Sequence, residues 1–150
     1  MRTVLLLAAL LALTRALAMT DDELITNITK TLDSHLLEGS KWGMNYHFYR
    51  PGLVKYGPDQ WLWDSCFHMI AWSRINVTNS VLDLRTMLQM QKPTGEVPEM
   101  IMWGHQGKKD KILNKLLQSD PKTTDISQMP MLAFALRRIY ETTKNLTLLK

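Results

Sequence analysis

The sequence predicts an all-α protein, and three observations carry that prediction. Apolar residues recur at helical spacing in five segments, Pro and Gly are concentrated between those segments, and only residues 96–102 allow a short strand. The chain has 150 residues, of which 45% are apolar. That length allows one domain at most, and the composition excludes a disordered tail or a collagen-like repeat.

The N-terminal 18 residues have the pattern of a cleaved secretory signal peptide. Arg2 precedes an apolar run at residues 4–13, and Ala16 and Ala18 are the small residues that signal peptidase accepts. The run is shorter than the roughly 20 apolar residues that span a bilayer, so an uncleaved membrane anchor is the less favoured interpretation. We therefore expect a mature chain, residues 19–150, that is secreted or lies in the lumen of the endoplasmic reticulum or lysosome.

The first helix is predicted at residues 20–38. Thr20 and the two acids that follow supply an N-cap and a negative first turn, and Gly39 is expected to end the helix. Residues 40–62 show no clean period and contain the pairs Pro51-Gly52 and Gly57-Pro58. They predict a long structured loop, and loops of that length in small domains are usually functional.

Two helices are predicted next, joined by a turn at residues 76–79. Residues 64–75 are apolar on nearly every side, which is typical of a buried helix. Residues 80–90 form an amphipathic pattern in which Asp83 lies away from the apolar face. A buried helix followed by an amphipathic one predicts a double layer of helices.

The C-terminal half is predicted to hold a second loop and two more helices. Residues 91–107 are rich in Pro and Gly and form the loop, and residues 108–118 return to an apolar helical period. The last helix is predicted at residues 127–143. Pro130 is compatible with its first turn, where N–H groups have no intrahelical partner.

The charge of the chain gives no support for nucleic-acid binding. Lys and Arg number 18 against 14 acidic residues, a net charge of +4. Removal of Arg2 and Arg15 with the signal peptide leaves 16 against 14, a net charge of +2. The remaining charge is mixed and shows no basic stripe, which phosphate binding requires.

Several residues bear on modification and on metals. Asn27, Asn76 and Asn145 each begin an N-x-T triplet and become glycosylation candidates once a signal peptide is predicted. Cys66 is the only cysteine, and its apolar neighbours indicate a buried structural thiol rather than a catalytic one. No His or Cys pair has metal-ligand spacing, and no phosphate-binding loop is visible, so neither a metal nor a cofactor is predicted.

The aromatic residues point to a site. Ten of the twelve, including all five tryptophans, fall between positions 42 and 103. Trp61, Trp63 and Asp64 straddle a predicted loop-to-helix junction. Sugar recognition uses such a set, because pyranose C–H faces stack on indoles while a carboxylate accepts hydroxyl hydrogen bonds. The alternative is that both indoles are core residues and that Asp64 is only an N-cap.

Three ordered motifs resemble a known family. W-L-W-D-S-C-F at residues 61–67 resembles the W-x-W-D-S-x-F segment of the (α/α)6-barrel glycoside hydrolases related to mannosylglycerate and glucosylglycerate hydrolases. Residues 62–68 also resemble the L-W-D-x-x-F-H segment of processing α-glucosidases. Residues 91–102 are similar to the family's Q-x(n)-G-x-[IV]-P-x-M-[IV] loop, and residues 124–130 are similar to its S-x-I-[ST]-Q-P-P helix start.

The resemblance implies the N-terminal portion of a toroid of six inner and six outer helices, with a sugar site at one end. Trp61, Trp63, Asp64 and Gln128 match positions that contact substrate in that family. Two positions depart from the pattern. Met129 replaces the first Pro of Q-P-P, and Glu99 stands where relatives commonly carry His.

Catalytic residues are not expected within these 150 residues. The resemblance places the family's general acid (an Asp) and general base (a Glu) downstream of the Gln128 motif. We therefore expect a truncated catalytic domain that is inactive alone. Asp64 with Glu99 is a weaker candidate pair for an inverting mechanism, and His68 and His105 are alternative acids by residue type.

The expected function is a secretory-pathway glycosidase acting on an α-linked glycoside, with inversion of configuration. Three alternatives remain open. One is a non-catalytic carbohydrate-binding protein, another is an enzyme like the processing α-glucosidases of the endoplasmic reticulum, and the third is a structural helical domain with no ligand.

Overall fold

The structure, a computed structural model, describes residues 19–54, 56–104, 122–124 and 128–149. The predicted helix at 108–118 and His105 lie outside this part of the chain. The described elements, in chain order, are α1 (Asp21–Ser34), β1 (Leu36–Lys41), β2 (Met44–Tyr49), β3 (Gln60–Trp61), α2 (Leu62–Ile75), α3 (Val77–Leu88), β4 (Met100–Ile101), α4 (Leu132–Thr143) and a 3-10 helix (Leu146–Leu149). The helix-rich prediction is confirmed, whereas the prediction that the protein is all-α is wrong. The assignment of these helices to the N-terminal portion of a toroid stays a prediction.

The chain divides into two units, Met1–Thr31 and Leu32–Lys150. The described part of the first unit is most of α1, which starts with a reciprocal cap: the Glu23 N–H donates to Thr20 Oγ1 at 3.2 Å, and the Thr20 N–H donates to Glu23 Oε2 at 2.8 Å. This capping box satisfies two N–H groups that a helix start would otherwise leave unpaired. The predicted N-cap at Thr20 is therefore confirmed, but the helix ends four residues before the expected position.

In the second unit, the end of α1 is followed by an antiparallel hairpin of β1 and β2, where helix and loop were predicted. Gly39 does not end a helix but pairs with Tyr46 across the hairpin. A Cβ on Gly39 would lie 2.5 Å from the Tyr46 hydroxyl, so a larger residue here would require the Tyr46 ring to move. Trp42 and Gly43 form the two-residue turn with φ angles of 55° and 79°, the signs that tight hairpin turns require.

Helix α2 lies at the centre of the second unit and contacts both α3 and α4. The core that these helices share with the sheets consists of Phe48, Leu62, Cys66, Met69, Leu84, Met87, Ile101, Trp103, Ala135 and Ile139. Cys66 is fully buried, and burial raises the pKa of its thiol to about 12. The prediction of a buried structural thiol is confirmed.

Helices α3 and α4 start at different residues from those predicted. The Asn76 side chain accepts the Thr78 N–H at 3.2 Å and caps α3, which therefore begins at Val77 inside the predicted turn. Helix α4 begins at Leu132, after Pro130 rather than around it. In the described part of the chain, no helix has the length and apolar character to cross a membrane.

Candidate functional site

One cavity of about 420 Å³ brings the four sequence-predicted substrate residues together. Its lining residues are Pro51, Tyr56, Trp61, Trp63, Asp64 and Gln128. They come from the loop before β3, from β3 itself, from the start of α2 and from the segment that leads into α4. Residues more than 60 positions apart in sequence thus face one space.

A strand-to-helix junction positions both indoles. Trp61 is the last residue of β3, with extended φ and ψ of −112° and 130°, and the helix begins at the next residue. The β3 strand is held by antiparallel pairing of Trp61 with Met100. One residue further on, the Leu62 N–H donates to the Glu99 carbonyl at 2.7 Å. Glu99 and the adjoining strand β4 therefore fix where the helix starts.

The Gln128 side chain joins the distant segment to this helix start. Its Oε1 accepts the Trp63 backbone N–H at 2.8 Å, which satisfies one of the N–H groups that a first helical turn leaves unpaired. Because this contact uses the amide oxygen, it also orients the amide group. The Nε2 group remains as the donor that Gln128 can offer to a ligand.

Asp64 is the third residue of α2 rather than its N-cap. Trp61 occupies the N-cap position and makes no side-chain capping bond. The interpretation of Asp64 as only an N-cap is therefore wrong. Burial raises the pKa of Asp64, and hydrogen bonds from its own N–H and the Trp63 side chain offset this in part. A half-buried carboxylate with little solvent competition is a strong hydrogen-bond acceptor.

The aromatic rings at the cavity are held edge to face. Tyr56 meets Trp61 with centroids 6.1 Å apart and an interplanar angle of 75°, and the Trp61 indole N–H donates to the Tyr56 carbonyl at 3.3 Å. Trp63 meets Phe67 at 5.5 Å and 80°. Trp63 remains 38% exposed. Such rings offer faces on which the C–H groups of a sugar can stack.

Two of the other candidate acids, Glu99 and His68, are not among the residues that line the cavity. Glu99 is not one of the lining residues, and its Oε2 accepts the Thr124 hydroxyl at 3.4 Å. The structure therefore does not bring Glu99 into the cavity with Asp64. His68 is also absent from the lining, and burial, with His35 nearby, lowers its pKa to about 4. A neutral imidazole of this kind is a poor proton donor near neutral pH.

Sequence reasoning missed three residues. Tyr56 and Pro51 line the cavity but were left out of the site, although Tyr56 lies in the same aromatic loop. Asp83 was placed on the polar side of its helix and is instead fully buried. No periodicity signal distinguishes a buried acid from a solvated one.

In the described residues, no group of three or more His, Cys, Asp and Glu side chains could hold a metal ion.

Comparison with known proteins is informative for residues 57–150. These residues match the family described as the mannosylglycerate hydrolase MGH1-like glycoside hydrolase domain. A mannosylglycerate hydrolase from Thermus thermophilus is 28% identical over 90 residues, which cover 56% of this chain and 21% of the relative. The chain thus spans about a fifth of that relative's length. No solved structure matches the chain.

The matched region contains the junction and the glutamine that form the cavity. It covers more than half of the chain and confirms the resemblance that the ordered motifs indicated. The chain belongs to the MGH1-like glycoside hydrolase family.

Proposed function

We propose that the cavity binds a sugar ring and that the protein hydrolyses an α-linked glycoside with inversion of configuration. The observation that carries the proposal is the convergence of Trp61, Trp63, Asp64 and Gln128 on one cavity. Membership of a glycoside hydrolase family supports a carbohydrate as the ligand. The name of the Thermus relative makes mannosylglycerate the first substrate to test.

The polar groups of the cavity complement a sugar hydroxyl. A hydroxyl group donates one hydrogen bond and accepts others, and the site offers both roles. The Asp64 carboxylate accepts, while the Gln128 Nε2 group donates because its Oε1 is engaged by Trp63. Trp61 and Trp63 supply apolar faces for the ring. The raised pKa of Asp64 implies that binding weakens as the pH falls through that pKa, where the acceptor is protonated.

Hydrolysis requires more than this cavity lining provides. Inverting glycosidases use two carboxyl groups about 6.5–9.5 Å apart. Among the described residues that line the cavity, Asp64 is the only one with a carboxyl group. We propose that Asp64 holds the sugar and that the acid and base lie elsewhere in the full catalytic domain. The same observation favours the second candidate function, a carbohydrate-binding protein without turnover.

Substrate cleavage separates these two functions. The full catalytic domain that contains this chain is incubated with mannosylglycerate, and the released sugar is followed by proton NMR. A glycosidase that inverts releases β-mannose first, whereas a binder without turnover perturbs the substrate signals and releases nothing. A protein that neither binds nor cleaves any α-linked glycoside would refute both functions.

The orientation of the Gln128 amide gives a specific prediction. Gln128→Glu keeps an oxygen for the Trp63 N–H but replaces the donor by a second acidic acceptor beside Asp64. We expect stability to change little and sugar affinity to fall about tenfold, since one hydrogen bond is lost. Gln128→Leu should lower both affinity and stability, the latter by about 1 kcal/mol. Titration with a sugar measures the affinity, and urea denaturation measures the stability. If Gln128→Glu binds the sugar as tightly as the wild type, the Gln128 Nε2 group is not a donor to the sugar.

The secretory location is also a proposal, which we base on the signal-like N-terminus and on exposed sequons. Asn27, Asn76 and Asn145 are all exposed. We expect cleavage after Ala18 and glycans on Asn27 and Asn76, with Asn145 as a third candidate. Expression in a eukaryotic cell should give a secreted protein whose mass falls on treatment with a glycan-removing amidase.

Matched variants assign each glycan. Asn27→Gln and Asn76→Gln should each remove one glycan from the mass of the protein. Asn45→Gln is the control, because Asn45 is exposed but begins no N-x-T triplet. A protein that keeps Met1 and shows no amidase-sensitive mass would refute the proposed location.

A further inference from the structure

A fully buried carboxyl group lies one layer behind the cavity. Asp83 on α3 is 0% exposed, and its Oδ1 accepts the Gln60 Nε2 group at 2.8 Å. Its second oxygen is buried and has no hydrogen-bond partner of ordinary geometry. The buried hydroxyl of Ser65 is in the same situation. An ionised carboxylate in this position would leave a charged oxygen without compensation.

The groups around Asp83 do not supply a positive charge. Burial is the main cause that raises the pKa of Tyr49 from β2 and of Cys66 from α2, and a negative charge on Asp83 would raise both further. Several ionisable groups on the neighbouring elements have other partners: His47 bonds to Glu38, Arg138 bonds to Glu141, and Asp59 accepts the Gly104 N–H. Burial lowers the pKa of His68 and so favours its neutral form. A neutral, protonated Asp83 fits this environment, because its O–H group can donate towards Ser65.

Gln60 connects Asp83 to the residues that line the cavity. The Gln60 amide is buried, and its Oε1 accepts the Trp103 indole N–H at 3.0 Å. This contact orients the amide so that its donor faces Asp83. Gln60 immediately precedes Trp61, and Ser65 immediately follows Asp64. The buried network therefore borders both ends of residues 61–64, which carry three of the cavity side chains.

We propose that Asp83 is a positioning residue that, as a neutral carboxylic acid, holds residues 61–64 in place through Gln60 and Ser65, and that ionisation of Asp83 puts an uncompensated charge into this buried layer and so destabilises the packing behind residues 61–64. The protein would therefore keep its cavity best in an acidic medium and lose its fixed geometry as the solution becomes alkaline. The expected effect on ligand binding rests on the proposed function. The expected effects on stability and on the indole signals are independent of the proposed function.

The pH window follows from proton linkage. Burial raises the pKa of Asp83 from 3.8 to about 7, and the polar groups of Gln60, Ser65 and Tyr49 offset burial only in part. Between those values the folded protein holds a proton that the unfolded chain has lost, so stability falls as the pH rises from about 4 to 7. His68 acts in the opposite direction, because its pKa is lowered from 6.5 to about 4. In the wild type, the contribution of His68 to the pH dependence of stability therefore partly cancels that of Asp83.

Comparison with Asp83→Asn isolates the effect, since asparagine imitates the neutral acid. It keeps an oxygen for Gln60 and presents an N–H donor towards Ser65. Relative to this variant, the unfolding equilibrium constant of the wild type should rise up to about tenfold per pH unit between pH 4 and 7. Asp83→Ala should be less stable than Asp83→Asn at every pH, because the Gln60 donor loses its acceptor. Parallel pH profiles for wild type and Asp83→Asn would overturn the proposal.

Two measurements on the intact protein complete the test. The ¹³Cγ resonance of Asp83 should titrate near pH 7, and the indole signal of Trp63 should move with the same midpoint in the wild type but not in Asp83→Asn. Because Asp64 titrates in both proteins, the readout is the ratio of affinities: the affinity of the wild type for methyl α-mannoside, relative to that of Asp83→Asn at the same pH, should fall across this range. If no sugar binds at any pH, the proposed function fails while the carboxyl and indole titrations still decide the role of Asp83. A ¹³Cγ midpoint near 4 would overturn that role.

Discussion

Replacing Asp64 with alanine should lower the affinity of the cavity for a sugar by about one to two orders of magnitude. The half-buried carboxylate is the charged acceptor of the site, and a lost hydrogen bond to a charged group costs about 1.5–3 kcal/mol. Under the proposed function, the same loss should appear in kcat/KM of the full catalytic domain. Titration with a saccharide measures the effect in this chain.

Asp64→Asn is the sharper variant, because it keeps the shape of the side chain and removes the charge. Asp64 lies in the first turn of α2, where an acid favours the helix dipole by about 0.3–1 kcal/mol, so a small loss of stability is expected as well. Asp22→Asn removes a first-turn acid from α1 and is the matched control for that helix effect. If Asp64→Asn binds a sugar as tightly as the wild type, the carboxylate has no role in recognition.

Two tryptophans on the same helix should respond in opposite ways to truncation. Trp72 is 2% exposed and packs on Tyr49 with centroids 5.3 Å apart, so Trp72→Ala should lower the free energy of unfolding by about 3–5 kcal/mol. Trp63 is 38% exposed and contacts Phe67 by its edge. Trp63→Ala should cost much less stability but weaken sugar binding strongly.

Urea denaturation and saccharide titration of both variants check this contrast. A Trp63→Ala protein that is as unstable as Trp72→Ala would make Trp63 a core residue rather than a binding face. From the sequence alone, Trp63→Ala is expected to lose both stability and sugar affinity. Because the Trp63 ring is exposed in the structure, we expect the loss to fall mainly on sugar affinity.

The sequence predicts the helices best where the apolar pattern is strongest. The existence of α2 follows from residues that are apolar on nearly every side, but its start at Leu62 depends on acceptors from Glu99 and Gln128, which lie far along the chain. Local periodicity contains no information about such tertiary caps. For that reason the predicted start lies two residues too late.

The hairpin was missed because its local signals are atypical. Leu36 fits the apolar period of the preceding helix, and Gly39 reads as a helix end. The turn consists of Trp42 and Gly43, whereas tight hairpins usually carry Asn or Asp at the first position. Its tryptophan adopts a positive φ while it stacks on Trp103, with centroids 5.3 Å apart. That contact between residues 61 positions apart cannot be predicted from the turn itself.

The sequence predicts those site residues that lie close together along the chain, and it predicts the distant ones poorly. Trp61, Trp63 and Asp64 are adjacent in sequence and suggested sugar recognition by residue type. Gln128 came only from the family resemblance, since nothing in its own segment indicates that it reaches the Trp63 N–H. Asp83 was misassigned because an acid on an amphipathic helix is usually solvated.

The indole groups provide the most direct test of the proposed sugar site. The chain has five tryptophans, of which only Trp61 and Trp63 line the cavity described here. A ¹H–¹⁵N spectrum resolves one indole signal from each, and titration with mannosylglycerate or methyl α-mannoside follows all five together. A sugar bound in the cavity should move the signals of Trp61 and Trp63 and leave those of Trp42, Trp72 and Trp103 in place. No movement of Trp61 and Trp63 at millimolar sugar, or movement confined to the other three, would contradict a sugar site at this cavity.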